Sequence, residues 1–392
     1  MTGTTAGQIL QLVRSGEVTT RRELQEQTGL SRSTLTQRLA MLTAGGYLSE
    51  AGAQHSGVAG RPAKGLSFVD TDKYVLTADL GATHARLALQ DAAGAVIAES
   101  TSRIRIQDGP DPVLAAVLDG FEALLASAPA GSAARDGLCG IGIGVPGPVN
   151  VATKRLQQPP IMPGWDDHPV TTVFEERFGV PALIDNDANL MGLGEARRHH
   201  PDVPSLLYVK VGTGIGAGLI LGGRPERGIA GGAGDIGHIR IAHPVAGAVC
   251  ACGANGCLAA HASGGALVRQ LTERGIAAET PTDVARLVQA GNADAIALVR
   301  TAGQLVGEVL ATAVALLNPG VLVIGGSMAM THEHFLIGVR ESLYERTVPL
   351  ATRNLTITAS ALQDRAAIEG ARIMVVDHVF SAAAVDARLG LA

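Results

Sequence analysis

The chain has 392 residues, 17% charged and 46% hydrophobic, with 31 basic and 36 acidic side chains for a net charge of −5. That length accommodates two or three domains, and the apolar fraction excludes a disordered or collagen-like chain. Largely apolar stretches such as Val309–Leu317 fall short of the roughly 18–20 residues of a bilayer span, and no basic-then-apolar leader opens the chain. Four cysteines, three of them within eight residues, read as a metal site in a reducing compartment rather than a disulfide framework. The expected location is the cytoplasm, with no membrane partner.

Charge is unevenly divided. Residues 1–68 hold seven basic and four acidic side chains, a net +3, which leaves −8 for the remainder. A basic head on an acidic body points to a polyanionic partner for the head. Within the head, Ile9, Leu10 and Val13 predict a helix near 6–15. Thr19 or Thr20 starts a second helix, with Glu23 in capping-box position relative to Thr20. Gly29 supplies the turn, and Ser31 caps a third helix from Arg32 to about Ala44. Leu35, Leu39 and Leu42 form its inner face. Its outer face carries Arg32, Ser33, Thr34, Thr36, Gln37 and Arg38, polar and basic groups that reach base edges and phosphates in a major groove. Tyr47-Leu48 opens a wing, and the loop 51–65 ends Gly60-Arg61-Pro62-Ala63-Lys64. Proline keeps that segment extended, suited to place Arg61 in a narrow minor groove, with Lys64 beside it. Residues 1–68 thus predict a winged helix-turn-helix domain that binds double-stranded DNA. One such domain reads one half-site, so a homodimer on a palindromic operator is expected, with a homotetramer equally open.

After a strand at Tyr74–Ala78, Asp79-Leu80-Gly81-Ala82-Thr83 forms a tip and Ala85–Gln90 returns. Glycine at such a tip lets backbone amides approach a phosphate, Thr83 can donate to it, and Asp79 would lie near a phosphate-bound Mg²⁺. The arrangement recurs about 130 residues later: strand Leu206–Val211, tip Gly212-Thr213-Gly214-Ile215-Gly216-Ala217-Gly218, return Leu219–Leu221. Two such units predict a duplicated lobe with a cleft between the copies. Between them lie Gly142–Pro148, Pro163-Gly164-Trp165 and, at the end of a strand Pro181–Ile184, the run Asp185-Asn186-Asp187-Ala188-Asn189. A strand-end carboxylate facing the cleft suits a general base, and the same run suits helix caps; Asp187 is taken as the former and a neighbour as the latter. Late in the chain, the buried strand after Asn318-Pro319-Gly320 ends in Gly325-Gly326, against which a flat base such as adenine could lie. Apolar residues at helical spacing over 112–128 and 303–317 complete an α/β pattern.

Cys250-Ala251-Cys252-Gly253-Ala254-Asn255-Gly256-Cys257 brings three thiols onto one tight loop, with His238 twelve residues upstream. One imidazole and three thiolates predict a closed, structural Zn²⁺ site, with His243 competing with His238 for the fourth place. Its expected role is to fix the loop and, through His238, the neighbouring Asp235. Cys139, in an apolar strand, reads as a core residue.

These motifs, in this order, resemble the ROK family (repressor, open reading frame, kinase) from about residue 74 to the end. Asp79–Thr83 matches its first phosphate motif, Gly212–Gly218 the second, Asn186-Asp187 its sugar and catalytic pair, Gly234–His238 its Gly-Glu-x-Gly-His, and Cys250–Cys257 its zinc loop. The resemblance implies a two-lobed, actin-like (ribonuclease H-like) sugar kinase fold behind the winged helix. The domains would be 1–68, 69–190 completed by a C-terminal helical stretch at 366–392, and 191–365 with the zinc loop. It implies a sugar held by Gly147, Asn186, Asp187, Asp235 and His238. In kinase members it implies ATP and Mg²⁺ at Asp79, Gly81, Thr83, Gly212, Thr213, Gly214, Gly216, Gly325 and Gly326, with Asp187 as base. Three positions depart from the kinase pattern: Asp235 replaces a glutamate, Ala259 stands where a second glutamate is usual, and Ile161 where an asparagine is common. The expected function is a DNA-binding regulator whose kinase-like body senses a sugar or sugar phosphate. The alternatives are an active ATP-dependent sugar kinase with a DNA-binding head, and a regulator without a small ligand.

Overall fold

The computed structural model describes residues 4–51, 65–128, 132–150, 152–245, 247–331 and 333–391. In the head, Thr5 and Thr20 close capping boxes with Gln8 and Glu23 at the starts of helices α1 (Ala6–Arg14) and α2 (Arg21–Thr28). Gly29 ends α2 in the left-handed region at φ 66°, and Ser31 caps α3 (Arg32–Ala44). Leu35, Leu39 and Leu42 bury against Ile9, Leu10 and Leu24. Strand β1 (Leu48–Ala51) pairs antiparallel with β2 (Gly65–Phe68), Leu48 opposite Phe68. The expected winged helix is therefore present. Arg61 and Lys64 lie outside the described residues.

The body holds two five-stranded sheets. The first is built from β3 (Tyr74–Leu80), β4 (His84–Asp91), β5 (Val96–Arg103), β6 (Leu138–Val145) and β9 (Ala182–Asn186), in the order β5-β4-β3-β6-β9. Helices α4 (Pro110–Ser127), α5 (Ser132–Asp136) and α6 (Val170–Phe178) accompany it, and β7 (Val149–Asn150) and β8 (Arg155–Leu156) form a small hairpin. Helix α7 (Asp187–His199) then leads to the second sheet: β10 (Ser205–Val211), β11 (Ile215–Leu221), β12 (Arg224–Glu226), β13 (Val321–Gly325) and β14 (Thr356–Ala359). Its order is β12-β11-β10-β13-β14, the same antiparallel meander of three strands followed by two parallel ones. The two glycine tips thus sit at equivalent turns, β3–β4 and β10–β11, of a duplicated topology.

The second lobe adds α8 (Leu258–Ala262), α9 (Gly264–Glu273), α10 (Pro281–Gln289), α11 (Ala293–Leu317), α12 (Glu333–Arg346) and α13 (Pro349–Thr352). Helix α11 corrects an expectation drawn from Val309–Leu317. It runs 25 residues and is long and apolar enough to cross a bilayer by length and composition. Val299, Val306, Leu310 and Val314 on it are fully buried in the second lobe's core.

The chain closes with α14 (Ala366–Val379) and α15 (Ala382–Arg388). Helix α14 packs on β3 and β6 of the first sheet and also along α7. The division expected after residue 190 falls inside α7, a single helix that packs on β10 and β11 as well as on α14.

The head docks on the last two helices. The Gly7 backbone N–H donates to Asp386 at 2.7 Å, Gln11 donates to the Phe380 carbonyl, and Arg14 pairs with Asp377 at 2.5 Å. Phe380 takes the edges of Tyr47 and Phe68 at centroid distances of 6.3 and 5.1 Å. A Cβ at Gly7 would run into the Ala382 backbone. Gly7→Ala is therefore expected to loosen the docked head at a cost of about 1–3 kcal/mol. Limited proteolysis should release the head faster while the body stays intact; an unchanged digestion rate would contradict the seat.

Candidate functional site

Lobe one brings its acids to the cleft from two elements. Asp79, buried in β3, lies opposite Gly144 of β6, and its Oδ1 has no hydrogen-bond partner among the described residues. The run at the β9–α7 junction divides its work. Asp185 is buried: its Oδ1 accepts from the Asn186 backbone N–H (2.8 Å) and Asn189 Nδ2 (3.0 Å), and its Oδ2 from Arg227 Nε (2.7 Å). Asn186 is the cap, its Oδ1 accepting from Ala188 N–H at 2.9 Å while its Nδ2 donates to the Gly147 carbonyl at 3.1 Å. Asp187, the first residue of α7 and buried, is ion-paired with Lys210 of β10.

Lys210 stands in a strand whose neighbours Leu206, Leu207, Tyr208, Val209 and Val211 are buried. Burial opposes its charge, yet Asp187 and Asp79 outweigh that and hold its pKa above the ordinary lysine value. Burial pushes the Asp79 carboxyl up to about 6, with Lys210 pulling the other way.

The second tip rests on the start of α9. Gly212 N–H donates to Gly214 O at 2.9 Å, and Gly264 N–H donates to Gly212 O at 2.7 Å. Thr213 and Gly214 are exposed, and Gly216 is half-buried. At the first tip, Gly81 is buried and its N–H donates to His84 O at 2.8 Å, while Thr83 is exposed. Gly325 ends β13 directly over the Tyr208 phenol, and Gly326 turns at φ 78°. The segment Gly234–His238 lies against β11, with Ala217 N–H donating to Gly234 O at 2.8 Å. Asp235 is exposed, 3.9 Å from His238 Nε2. Ala259 is half-buried at the start of α8, and Ile161 packs against the core of lobe one.

The ring's other face belongs to the cysteines. His238, Cys250, Cys252 and Cys257 bring one ligand atom each within 4.8 Å of one another, and exposed His243 lies outside this group. Cys250 Sγ is 3.5 Å from His238 Nδ1, and Cys252 Sγ 3.7 Å from Cys257 Sγ. A tetrahedral zinc with Zn–S bonds of about 2.3 Å sets its sulfurs ~3.8 Å apart, so the four residues fit a metal. Burial pushes the Cys257 thiol up to about 12, whereas the Ala254 backbone N–H brings Cys252 down to about 7. Cys139 is held apart, donating to Tyr74 O at 3.1 Å, and burial raises its thiol to about 11.

On the head, Arg32, Thr36 and Gln37 are exposed along α3. Ser33 and Thr34 turn their hydroxyls onto the Ser31 cap, each at 2.9 Å. Arg38 is half-buried, its Nη1 enclosed and without a partner among the described residues. Of the six expected positions, Arg32, Ser33, Thr36 and Gln37 are exposed, and Thr34 and Arg38 are half-buried.

Sequence reasoning passed over Lys210, Arg227 and the trio Arg14–Asp377–Arg197, in which Asp377 takes Arg14 on one oxygen and Arg197 on the other at 2.9 Å. One signal was available: a lysine inside an apolar strand needs a buried acid to answer it. Arg227 and Asp377 gave none, since each meets its partner across elements far apart in the chain.

Fold and site define a two-lobed, sugar-kinase-like body headed by a winged helix-turn-helix. A family model described as ROK family matches residues 75–378, and one described as winged helix-turn-helix DNA-binding matches residues 4–49. The chain belongs to the ROK family. It is 29% identical to the xylose repressor of Caldicellulosiruptor bescii over 388 residues, covering 95% of each chain. The crystal structure of a ROK family transcriptional regulator, a homolog of the E. coli MLC protein, superposes with a TM-score of 0.81 at 24% identity, over 98% of both chains. The ROK hexokinase of Thermus thermophilus is 31% identical with a TM-score of 0.61, and its match covers 78% of this chain and 99% of its own. The likeness to repressors thus runs the whole length of the chain, whereas the hexokinase match leaves part of it uncovered.

Because burial raises the Asp79 pKa from 3.8 to about 6, the folded state keeps a proton that the unfolded chain releases. Asp79 therefore destabilises the fold progressively as pH rises from about 4 to 6, by up to about 3 kcal/mol above that window. Asp79→Asn is expected to raise the unfolding free energy at pH 7 and to lose that advantage as the pH falls to 4. Denaturant unfolding across this range measures it, and a gain independent of pH would contradict the assignment.

Proposed function

We propose that this chain is a DNA-binding transcription regulator whose kinase-like cleft binds a sugar and whose head grips or releases DNA in response. The supporting observation is a continuous mechanical link. Helix α7 begins at Asp187 in the cleft and runs 13 residues, about 20 Å, toward the head. Near its far end, Arg197 shares Asp377 with Arg14 of α1. Beside this joint lies a cavity of about 260 Å³ lined by Arg14, Arg197, Arg198 and Arg372, so the joint has room to repack. A sugar that favours one lobe arrangement would shift α7 and, through Asp377, the angle of α3 to the duplex.

The ligand class is read from the positions where the family resemblance places sugar contacts. Ala259 and Ile161 offer no hydrogen bonds, and Asn186 is already committed at both ends of its amide. Such a site suits a sugar with fewer hydroxyls to satisfy, an aldopentose before a hexose, since an unpaired polar group costs on the order of 1 kcal/mol or more. The xylose repressor relative favours the same sugar and a repressing role. Arg32, Thr36 and Gln37 would read base edges and phosphates, with Arg61 and Lys64 in the wing.

Gel-shift titration at low salt, using DNA from upstream of the protein's own reading frame, tests the reading. Wild type should shift a fragment and respond to D-xylose. Gln37→Ala or Arg32→Ala should weaken binding by about 1–3 kcal/mol. Asp377→Asn should keep both affinities while the effect of sugar on DNA shrinks. Absence of any shift would refute the function, and full coupling in Asp377→Asn would refute the link.

The metal is read as structural Zn²⁺ held by His238, Cys250, Cys252 and Cys257. Its chemistry is to neutralise three thiolates and fix the loop, which leaves His238 Nε2 directed at Asp235. Cys257→Ser should lower the zinc content from about one ion per chain toward zero and weaken sugar binding more than DNA binding. Metal analysis beside calorimetry checks this; full zinc in the variant would contradict it.

A further inference from the structure

We propose that Lys210 is the resident cation of the cleft. Its ammonium takes the place beside Asp187 and Asp79 that a divalent ion would need, so the cleft admits a neutral carbohydrate and excludes a nucleotide–metal complex. This rests on reading the cleft as a carbohydrate site, as argued above.

Two buried carboxylates converging from separate elements are the usual means of holding a hard cation against phosphates. Here the ammonium of Lys210 pairs with Asp187, and the charge of the buried Asp79 also favours it. The cation is tethered to the strand that leads into the Gly212 tip, so it is always present at high effective concentration. A magnesium ion would have to shed tightly held water, meet strict octahedral demands and displace an ion-paired ammonium, or lie against it at like charge. The residues therefore do not fit a magnesium–nucleotide complex. Asp187, already holding an ammonium, is also poorly placed to accept a proton from a sugar hydroxyl. The Lys210 side chain keeps 20% of its surface exposed while its ammonium is paired with the buried Asp187. The survival of both glycine tips is then a property of the fold: Gly212 is bonded to Gly214 and Gly264, and Gly81 to His84.

The test uses the full chain and Mn²⁺–ADP as the probe, read by electron paramagnetic resonance of the free ion. Wild type should leave Mn²⁺–ADP free at millimolar concentration. Lys210→Ser and Lys210→Met should each bind it about tenfold or more tightly, and Mg²⁺ should raise the melting temperature of both variants but not of wild type. Wild-type binding in the micromolar range overturns the proposal on its own, whether or not the variants fold. Folded variants that gain no metal binding overturn it as well. D-xylose titration of wild type runs in parallel with and without Mg²⁺–ATP. A sugar affinity unaffected by Mg²⁺–ATP supports the proposal, and one strengthened by it counts against. Failure to bind any sugar refutes the carbohydrate reading, while the Mn²⁺ result still decides whether Lys210 keeps the ion out.

Discussion

Helix α14 lies where the first sheet, α7 and the head all meet, and the closeness of its seat governs the rest of the molecule. At Gly142 of β6, a side chain would stand 2.7 Å from the Ala371 carbonyl. At Gly370 of α14 itself, one would collide with the backbone of Leu190 in α7. Bare backbone on both sides lets α14 press against strand and helix together at interior packing density. Asp377 in the same helix and Phe380 just beyond it carry its contacts to the head.

Electrostatics tie the two lobes in the same economical way. Asp185 and Asp187 stand side by side at the end of lobe one, and each meets a base from the other half, Arg227 after β12 and Lys210 in β10. Both acids are buried, so either pair, if broken, would strand an uncompensated charge at a cost of about 3–5 kcal/mol. These paired charges join the lobes beside an apolar cluster in which Met191 and Leu193 of α7 pack with Leu206, Tyr208 and Ile220 of the second sheet.

Much of this was legible in the sequence because it is local. Capping boxes at Thr20 and Glu23, the turn at Gly29, the cap at Ser31 and the two glycine tips each depend on residues within a few positions. The cysteine loop is local too, and the structure selects His238 over His243 because Gly234–His238 is pinned to β11. What escaped was the pairing between distant elements. Asp185 is held by Arg227 from beyond β12, and the Asn186 amide lies between Gly147 and Ala188. Ser33 and Thr34 look outward on a helical wheel, but their hydroxyls fold back on Ser31. Helix α11 shows the converse: a sequence window centred on its last turns underestimates an apolar helix whose length is set by the core it crosses.

The docking of the head on α14 and α15 also imposes an order of events on synthesis. Gly7 is synthesised 379 positions before its partner Asp386. The helices of the winged domain can form early from their own caps and core. They acquire their seat only once α14 and α15 have been made. Until then a nascent chain would carry an untethered head.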